Sequence, residues 1–467
     1  MTYASPFSSR YGSEEMRAVW SETAKRRAWR RVWTAVAEAQ AAAGLVTPEA
    51  VDDIRAHAGE IDLKRAAEIE SETGHDLMAE LRAFAEQCPI GGPVLHWGLT
   101  SADVTDNADM VRIKASLALL LRRLRRVLLI LADRIEATAD LPVMGYTHLQ
   151  PAEPTTFGHR LSAYAQDLLD CFDDLARVRA GLRSKGIRGA VGTAATFAEM
   201  LEGTPVSAQM LEATVMEALG LNAAMVTTQT YPRLQDYAVV SRLAGLAAAL
   251  HKFAFDLRLM QSPTIGQAAE PFGEKQVGSS AMPFKRNPVR SEKICSLARL
   301  VAASAQVAWD NAANSLLERT LDDSANRRTI LPETFLACEE MLITAEEILD
   351  GLEVDVQAAA RQIADLGPLV ATERLLTALV RQGADRQAMH ARLRDRSLEA
   401  LEAIRRGSPN PLVDILSRDT TILRYLQPVG VRALLDASTY VGLAPERARQ
   451  AAARVRHRLQ ETGGSPA

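Results

Sequence analysis

The pattern of apolar positions along the chain predicts a largely helical protein. Proline breaks the interior of a helix, so proline-free intervals mark where long helices fit; they span 93–142, 154–205, 232–263 and 288–332. In the first interval, leucine or isoleucine recurs at every third or fourth position from Leu117 to Ile135, which predicts an amphipathic, coiled-coil-like helix. In the third, Leu234–Met260 is alanine-rich and apolar on more than one face, which is typical of a helix buried nearly all round.

The length of the segment Leu234–Met260 indicates oligomerisation. As a helix it would extend for about 40 Å. Burying such a helix on all sides needs more neighbours than one chain of this size readily supplies. We therefore infer a long helical bundle shared between subunits, with a large monomeric core as the alternative interpretation.

Shorter helices are predicted on either side of this central region. On the amino-terminal side they fall at 14–43, 48–58 and 63–86, and short helices return from about residue 355 onward. The small and polar residues of the tail, 461–467, are expected to be disordered. The predicted fold class is all-α with three helical domains, at 1–100, 101–354 and 355–467, the central one being a long-helix bundle.

Composition narrows the class of protein further. Hydrophobic residues make up 47% of the chain but aromatic residues only 5%, which favours aliphatic helix packing. The net charge of −4 gives no reason to expect nucleic acid as a partner. The four cysteines are far apart and indicate neither a disulfide framework nor a metal site; they are Cys88, Cys171, Cys295 and Cys338. Without an evident signal peptide or an apolar run long enough to cross a bilayer, we expect a cytoplasmic protein with no membrane partner.

The segment Gly278–Pro288 carries the densest candidate chemistry. It reads Gly-Ser-Ser-Ala-Met-Pro-Phe-Lys-Arg-Asn-Pro, and its prolines stiffen a chain that its glycine lets approach a ligand closely. Two adjacent serines offer a nucleophile or base, while Lys285 and Asn287 offer a cation and an amide. This set suits an anionic substrate whose negative charge grows in the transition state. The plainer interpretation is a surface loop with ordinary turn residues.

Three further segments are dense in small polar groups. They are Thr73–Ala79, His96–Asn107 and Gly145–Ala152. Taken singly, each has a structural interpretation: His75-Asp76 as a helix cap, Thr100-Ser101 with Asp103 as an N-cap with its first-turn acid, and His148 as a turn histidine. Taken with the loop, they supply the parts of an elimination, which needs a base, an acid for the leaving group, and cations or hydroxyls to hold carboxylates.

Two apparent motifs are set aside. Gly273 to Gly278 has the glycine spacing of a P-loop, but serines follow where that motif needs lysine. Asp322-Asp323 could suggest a metal site, but the neighbouring arginines 319, 327 and 328 favour ion pairing instead. No metal ion and no cofactor is therefore expected.

Taken together, these segments resemble the fumarase/aspartase superfamily, whose members release fumarate from succinyl compounds. The loop 278–288 and the three polar segments occur in that superfamily's order, as do Ser9–Tyr11 and Thr228–Tyr231. The string Glu318–Arg328 is similar to the adenylosuccinate lyase family in particular. The resemblance covers nearly the whole chain and is weakest beyond about residue 400.

The resemblance implies roles for individual residues. Ser279 would remove the proton from the succinyl β-carbon, and His148 would protonate the departing nitrogen. Lys285 and Asn287 would stabilise the doubly charged intermediate, and Glu292 would support Lys285 or His148. The implied catalytic set is Ser279, His148, Lys285, His75 and Glu292. The implied substrate-binding set is Arg10, Tyr11, Asp76, Thr100, Ser101, Thr147, Gln229, Ser280, Asn287, Lys293, Arg319, Ser324 and Arg328.

Within the binding set, Thr100, Ser101 and Gln229 would hold the succinyl carboxylates. Other members would bind the nucleotide phosphate and ribose; they are Arg10, Tyr11, Arg319, Ser324 and Arg328. A serine hydroxyl is a poor base unless nearby donors and a cation make it alkoxide-like. That requirement predicts a mobile loop between about 273 and 288 that is ordered by ligand.

The resemblance also implies an assembly, a homotetramer whose core is built from the central helices, with each active site drawn from three subunits. The substrate would be a small succinylated purine nucleotide. Gly74 and Lys293 depart from the family's pattern on the nucleotide side. They leave open a related lyase acting on another N-succinyl compound, and a non-catalytic helical scaffold is the second alternative. Members acting on argininosuccinate or carboxymuconate differ at 318–328.

Overall fold

The computed structural model describes residues 3–462, and over these residues the fold is all-α. It contains eighteen α-helices and four short strands. The first five helices are α1 (Glu14–Trp20), α2 (Glu22–Ala42), α3 (Pro48–His57), α4 (Leu63–Thr73) and α5 (Asp76–Gln87). The prediction for the tail concerns residues that lie mostly outside the described range.

The central part of the chain contains five helices of at least 25 residues and a β-hairpin. Its elements are α6 (Ser101–Ala137), β1 (Pro142–Thr147), β2 (Gln150–Thr156), α7 (Phe157–Gly181), α8 (Ala195–Met200), α9 (Ala208–Leu219), α10 (Leu234–Met260), β3 (Ala268–Ala269), α11 (Val289–Ala313) and α12 (Asp322–Asp350). The remaining elements are β4 (Glu353–Val354), α13 (Val356–Val370), α14 (Thr372–Arg381), α15 (Arg386–Arg405), α16 (Leu412–Ser417), α17 (Pro428–Leu434) and α18 (Ala444–Thr462). The predicted helix Leu234–Met260 is confirmed at both ends.

Two predicted amino-terminal helices are each divided in the structure, so those predictions were wrong. The segment 14–43 is interrupted at Ser21, whose hydroxyl accepts a hydrogen bond from Ala24 N–H and starts a new helix. The segment 63–86 is interrupted at Gly74, which adopts φ of 66° and ends α4. The glycine at position 74 is therefore explained by the local structure, because this left-handed cap favours glycine.

The described chain forms two compact units. Over the described residues, unit 1 comprises 3–124, 170–248 and 296–343, and unit 2 comprises 125–169, 249–295 and 344–462. The predicted domain boundaries at 100/101 and 354/355 stay a prediction. All five long helices contribute residues to both units; they are α6, α7, α10, α11 and α12.

In unit 1, aromatic and aliphatic side chains surround a buried ion pair. Arg30 Nε donates to Glu80 Oε1 at 2.6 Å with both side chains fully buried, and the Arg30 guanidinium also lies over the Phe84 ring. The guanidinium further donates to the backbone carbonyls of His57 and Glu60. Satisfying a buried charge on several sides ties α2, α3 and α5 to one another.

In unit 2, the carboxy-terminal helices form an aliphatic core around the hairpin β1–β2. Leucines of α14 and α16 are buried there with Met144 of β1. The hairpin is antiparallel, and its last register pair is Thr147 with Gln150, so only two residues form the turn. This packing fixes the base of a hairpin whose tip carries His148.

Helix α10 meets the length and mean composition expected of a membrane-crossing helix, but Arg242, His251 and Lys252 interrupt its apolar residues, so it is not the uninterrupted apolar run that the sequence analysis looked for. Its most apolar window has a mean hydropathy of 1.3 and is 50% buried within the structure. Core helices pass the same test, so the result is weak support for a membrane span. The exposed positions of α10 recur at helical spacing; they are 234, 238, 242, 245, 248, 252, 255 and 259.

Candidate active site

One cavity of unit 1 collects eight of the predicted site residues. Its volume is about 520 Å³, and it is lined by side chains from the amino-terminal helices, the start of α6, the segment before α10 and the start of α12. The predicted residues on its wall are His75, Asp76, Thr100, Ser101, Gln229, Arg319, Ser324 and Arg328. Residues 75 to 328 are therefore brought together within a single unit.

The amino terminus of α6 opens into this cavity. Thr100 precedes the helix and donates its backbone N–H to Asp103 Oδ2 at 2.8 Å, so the predicted cap with its first-turn acid is confirmed. Asp103 is completely buried and is paired with the equally buried Lys185. This cap leaves the hydroxyl-bearing residues Thr100 and Ser101 on the cavity wall at the positive end of a 37-residue helix. That position suits a carboxylate.

The facing wall joins α5 to α12. His75 caps α5, and its ring nitrogen accepts from Met78 N–H at 3.5 Å. Asp76 accepts a hydrogen bond from Arg328 Nη2 at 2.8 Å and lies 3.8 Å from His75 Nδ1. Burial raises the pKa of the Asp76 carboxyl, but the Arg328 guanidinium and the Leu77 N–H outweigh burial and lower that pKa below its ordinary value. Asp76 is therefore ionised at neutral pH.

A buried network of ion pairs lies behind the cavity wall. Arg233 donates both Nη atoms to Asp106 at 3.1 Å and its Nε to Asp323 at 2.6 Å. Arg319 also donates to Asp323, at 2.7 Å, so the prediction of ion pairing in this segment is confirmed. Within residues 3–462, no cluster of three or more histidine, cysteine or acidic side chains is arranged to hold a metal ion.

The same network continues through Tyr231. Its hydroxyl donates to Asp236 at 2.6 Å and accepts from Arg327 at 2.6 Å. Arg327 Nε also donates to Asp236 at 2.8 Å. Burial holds the pKa of Tyr231 well above its ordinary value, so this phenol keeps its proton and remains a donor.

Several cavity residues were missed by the sequence analysis, among them three cations and an aromatic side chain. Trp20, Lys25, Arg112 and Arg233 all line the cavity. Arg112 lies over the Trp20 ring at 4.5 Å, and Lys25 pairs with Glu22 at 2.7 Å. A lysine or arginine on a helix is usually solvated, so the sequence gave no sign that Lys25 or Arg112 lines a cavity, and it gave none for Trp20. Arg233 is the exception, because it follows the recognised Thr228–Tyr231 segment.

The loop 278–288 lies in unit 2, and two of its backbone N–H groups donate to the side chain of Ser279. The Ser279 hydroxyl oxygen accepts the backbone N–H groups of Ala281 at 3.3 Å and Met282 at 3.1 Å. Two such donors stabilise negative charge on this oxygen. Ser280 is exposed, and its hydroxyl makes no hydrogen bond within the described residues.

Two contacts close the loop on itself. Asn287 Nδ2 donates to the Gly278 carbonyl at 2.9 Å. A Cβ atom at Gly278 would lie 2.0 Å from the Lys285 carbonyl oxygen, so only glycine allows this approach. The stem is held by buried Glu270, whose carboxylate accepts the backbone N–H groups of Arg290 and Ser291 at 3.0 and 2.9 Å. Ligand-dependent ordering of the loop stays a prediction.

His148 occupies the tip of the hairpin in unit 2. His148 and Leu149 have φ of 53° and 60°, the turn conformation that favours asparagine and glycine. Positive φ at two such side chains stores strain, and strain of this kind is concentrated at functional sites. Thr147 and His148 are both exposed.

The remaining predicted residues have the following positions. Lys285 is exposed and has no carboxylate partner within residues 3–462. Glu292 lies 3.8 Å from Arg258 and pairs with it rather than with Lys285, and Lys293 follows on α11. Arg10 and Tyr11 belong to unit 1 but are not on the cavity wall. The next residues, Gly12 and Ser13, are tied through their N–H groups to Glu340 and Glu339 of α12.

This combination of long helices, a basic cavity and a serine loop is that of an all-α lyase, and a family described as "Lyase" matches residues 7–303. A second family, described as "Adenylosuccinate lyase C-terminus", matches residues 368–451. The chain belongs to the adenylosuccinate lyase family. Adenylosuccinate lyase of Saccharomyces cerevisiae is 37% identical over 452 residues, which cover 95% of this chain and 92% of that protein. The enzyme of Pyrococcus abyssi is 36% identical over 94% of this chain and 95% of its own length.

Solved structures of other proteins share the fold. The fumarate lyase from Mesorhizobium sp. BNC1 aligns with a TM-score of 0.84 at 24% identity, covering 97% of this chain and all of that one. The 3-carboxy-cis,cis-muconate lactonizing enzyme from Pseudomonas putida aligns with a TM-score of 0.86 at 24% identity, covering 97% and 99% of the two chains. At this identity the likeness establishes the all-α fold alone.

Proposed function

We propose that this protein cleaves adenylosuccinate to AMP and fumarate, and the corresponding succinylated aminoimidazole carboxamide ribotide to its amide and fumarate. The observation that carries the proposal is the meeting of eight predicted residues on one basic cavity of unit 1. Membership of the adenylosuccinate lyase family and 37% identity to the yeast enzyme over 95% of the chain support the choice of substrate.

The reaction begins with removal of a proton from the carbon next to a succinyl carboxylate. Ser279 takes that proton, since two backbone N–H groups stabilise an alkoxide on its oxygen. The electron pair left on carbon passes into the neighbouring carboxylate, which becomes doubly charged. Lys285, whose ammonium has no protein carboxylate partner within the described residues, offers a cation to this charge, and Asn287 holds the loop beside it.

The elimination is completed when the carbon–nitrogen bond breaks. The electron pair on carbon forms the double bond of fumarate, and the bonding pair leaves with the nitrogen of the second product. His148 supplies the proton that this nitrogen needs. The exposed position of His148 at the tip of a two-residue turn leaves its ring accessible to a substrate.

The binding end of the substrate belongs to unit 1. Thr100, Ser101 and Gln229 hold the succinyl carboxylates at the amino terminus of α6, and Ser324 with Arg328 binds the phosphate. Six basic side chains line this cavity against four carboxylates, which favours a polyanionic ligand. The basic residues are Lys25, Arg112, Arg233, Arg319, Arg327 and Arg328.

We further infer that the protein is a cytoplasmic homotetramer with active sites shared between subunits. The exposed stripe of α10 includes Gly245, Ala248, Phe255 and Leu259, which suits close packing against a helix of a second copy. The predicted catalytic residues Ser279, His148 and Lys285 belong to unit 2, whereas the binding residues on the cavity wall belong to unit 1. Assembly of copies would let a binding cavity from one subunit meet catalytic segments from others.

Mixed tetramers test the shared site. The variants His148→Ala and Lys285→Ala are each expected to be inactive alone. Co-assembly after mild dissociation should restore about a quarter of wild-type activity, since some sites then draw both intact residues from different subunits. The control is a mixture of His148→Ala with itself carrying a different tag. If mixed assemblies form but recover nothing above that control, the sites are not shared.

A substrate panel tests the function itself. Release of fumarate is followed with adenylosuccinate, the imidazole ribotide and argininosuccinate at equal concentrations. Turnover is expected with the first two alone. Turnover of argininosuccinate or of another N-succinyl compound, with none of adenylosuccinate, would support the paralogous lyase instead. A folded protein without activity on any of them would support the non-catalytic scaffold.

A further inference from the structure

The pairing of Asp76 with Arg328 places a carboxylate where the anionic end of the ligand must bind. Arg328 is 60% exposed, lines the cavity and donates from Nη2 to Asp76 Oδ2 at 2.8 Å. Asp76 is 18% exposed and ionised. A dianionic phosphate that approached the same guanidinium would meet this negative charge at short range, and like charges at such distances repel.

The other candidate partner of a phosphate on this wall is also occupied. Arg319 donates to Asp323, which is buried and shared with Arg233. Breaking that pair would leave a buried carboxylate short of a partner, which is costly. The exposed Arg328–Asp76 pair costs far less to break, because exposed ion pairs contribute about 1 kcal/mol or less. Arg328 is therefore the arginine that can change partners.

The surroundings of Asp76 favour such a change. Asp76 Oδ1 accepts the Leu77 N–H at 2.8 Å, so the carboxylate stays anchored to α5 if Arg328 leaves. Lys25 lines the same cavity and already acts electrostatically on Asp76. His75 Nδ1 lies 3.8 Å from the anchored oxygen. A released Asp76 thus keeps a hydrogen-bond donor, a cation and the His75 ring as neighbours.

We propose that Asp76 is an internal competitor for the ligand phosphate: it holds Arg328 until a phosphate displaces it, and it then remains with the Leu77 N–H, Lys25 and the His75 ring as its neighbours. This rests on the proposed function for the identity of the ligand as a nucleoside monophosphate derivative. The exchange couples the two ends of the cavity, since binding at the phosphate end frees a carboxylate at the His75 end. It also makes Asp76 a specificity-determining residue, because only an anion strong enough to capture Arg328 releases it.

The test compares Asp76→Asn with a matched charge control, Glu22→Gln. Glu22 lines the same cavity but pairs with Lys25, so its loss removes one carboxylate and frees Lys25, while the Arg328–Asp76 pair stays intact. Affinities for inorganic phosphate, AMP and adenosine are measured by titration calorimetry at one ionic strength. We expect Asp76→Asn to bind phosphate and AMP up to about fivefold more tightly, the factor that corresponds to losing a competing ion pair of about 1 kcal/mol. Adenosine affinity should stay unchanged, and Glu22→Gln should change phosphate affinity by less than about twofold.

The kinetic constants of Asp76→Asn distinguish the proposed role of Asp76 from a purely structural one. With adenylosuccinate, Asp76→Asn should lower KM and also lower kcat, since phosphate is captured more easily but His75 loses its charged neighbour. Unchanged or weaker AMP binding in a folded Asp76→Asn protein would overturn the proposal, as would equal tightening in Glu22→Gln. If Asp76→Asn fails to fold, Asp76→Ser, which can still accept the Leu77 N–H, replaces it.

The affinity for inorganic phosphate tests this proposal independently of the proposed function. If wild-type protein does not turn over adenylosuccinate, the proposed function fails. The comparison of phosphate affinity between wild type and Asp76→Asn still decides whether Asp76 competes for Arg328.

Discussion

Replacement of Ser279 by alanine is expected to lower turnover of adenylosuccinate by about a thousandfold or more, the loss typical of removing a group that exchanges a proton with substrate. Ser279 is the serine whose oxygen receives two backbone N–H donors. Removing that oxygen leaves the donors without their acceptor but takes away no buried packing. Initial rates at saturating substrate, together with an unchanged circular-dichroism spectrum, give the measurement.

Ser280→Ala is the matched control for this prediction. The two serines are adjacent, but Ser280 is exposed and its hydroxyl accepts no backbone donor within the described residues. We expect its replacement to cost less than about tenfold in turnover. Loss of activity in Ser280→Ala with retention in Ser279→Ala would show that the base is the second serine and that the loop changes shape around substrate.

Replacement of Arg233 by methionine is expected to lower the free energy of unfolding by about 3–5 kcal/mol, because it leaves Asp106 and Asp323 buried without their shared partner. The side chains of Arg233, Asp106 and Asp323 are each only 3% exposed, so water cannot replace the lost guanidinium. Urea unfolding at pH 7 measures the change as a shift in midpoint.

The pH dependence of this effect follows from Asp323. Burial raises its pKa, but Arg233 and Arg319 outweigh burial and lower the pKa below the ordinary value of 3.8. A carboxyl with a lowered pKa stabilises the fold above its unfolded pKa, and this stabilisation is lost as pH falls through the folded value. The difference in the free energy of unfolding between wild type and Arg233→Met should therefore become smaller as pH falls below about 4.

Arg328→Met is the control for Arg233→Met. Both remove an arginine ion-paired to aspartate in unit 1, but Arg328 is 60% exposed and its pair should contribute about 1 kcal/mol or less. Equal destabilisation by the two substitutions would mean that burial does not determine how much these ion pairs contribute to the free energy of unfolding.

The sequence predicted the long helices well because their determinants are local. Helix α10 begins and ends as predicted, since no proline interrupts 232–263 and its apolar residues recur at helical spacing. The breaks at Ser21 and Gly74 were missed. Each depends on one cap inside a segment that is otherwise favourable for helix, and periodicity averaged over a window does not register a single cap.

The residues of the candidate site were predicted from residue type and resemblance, but the ion pairs that hold them were not. The eight residues on the cavity wall come from segments whose order along the chain was recognisable. The pairing of Arg233 with Asp106 and Asp323, and of Arg328 with Asp76, joins residues about 90 to 250 positions apart. Only tertiary packing decides such pairs, because an arginine on a helix surface carries no local sign of its partner.

The most direct measurement is incubation of the purified protein with adenylosuccinate, with fumarate and AMP followed together by proton NMR. We predict that both products appear in equal amounts as the substrate disappears, and that neither appears with Ser279→Ala. Absence of both products from folded wild-type protein would contradict the proposed function, and release of fumarate at the same rate by Ser279→Ala would contradict the role of Ser279.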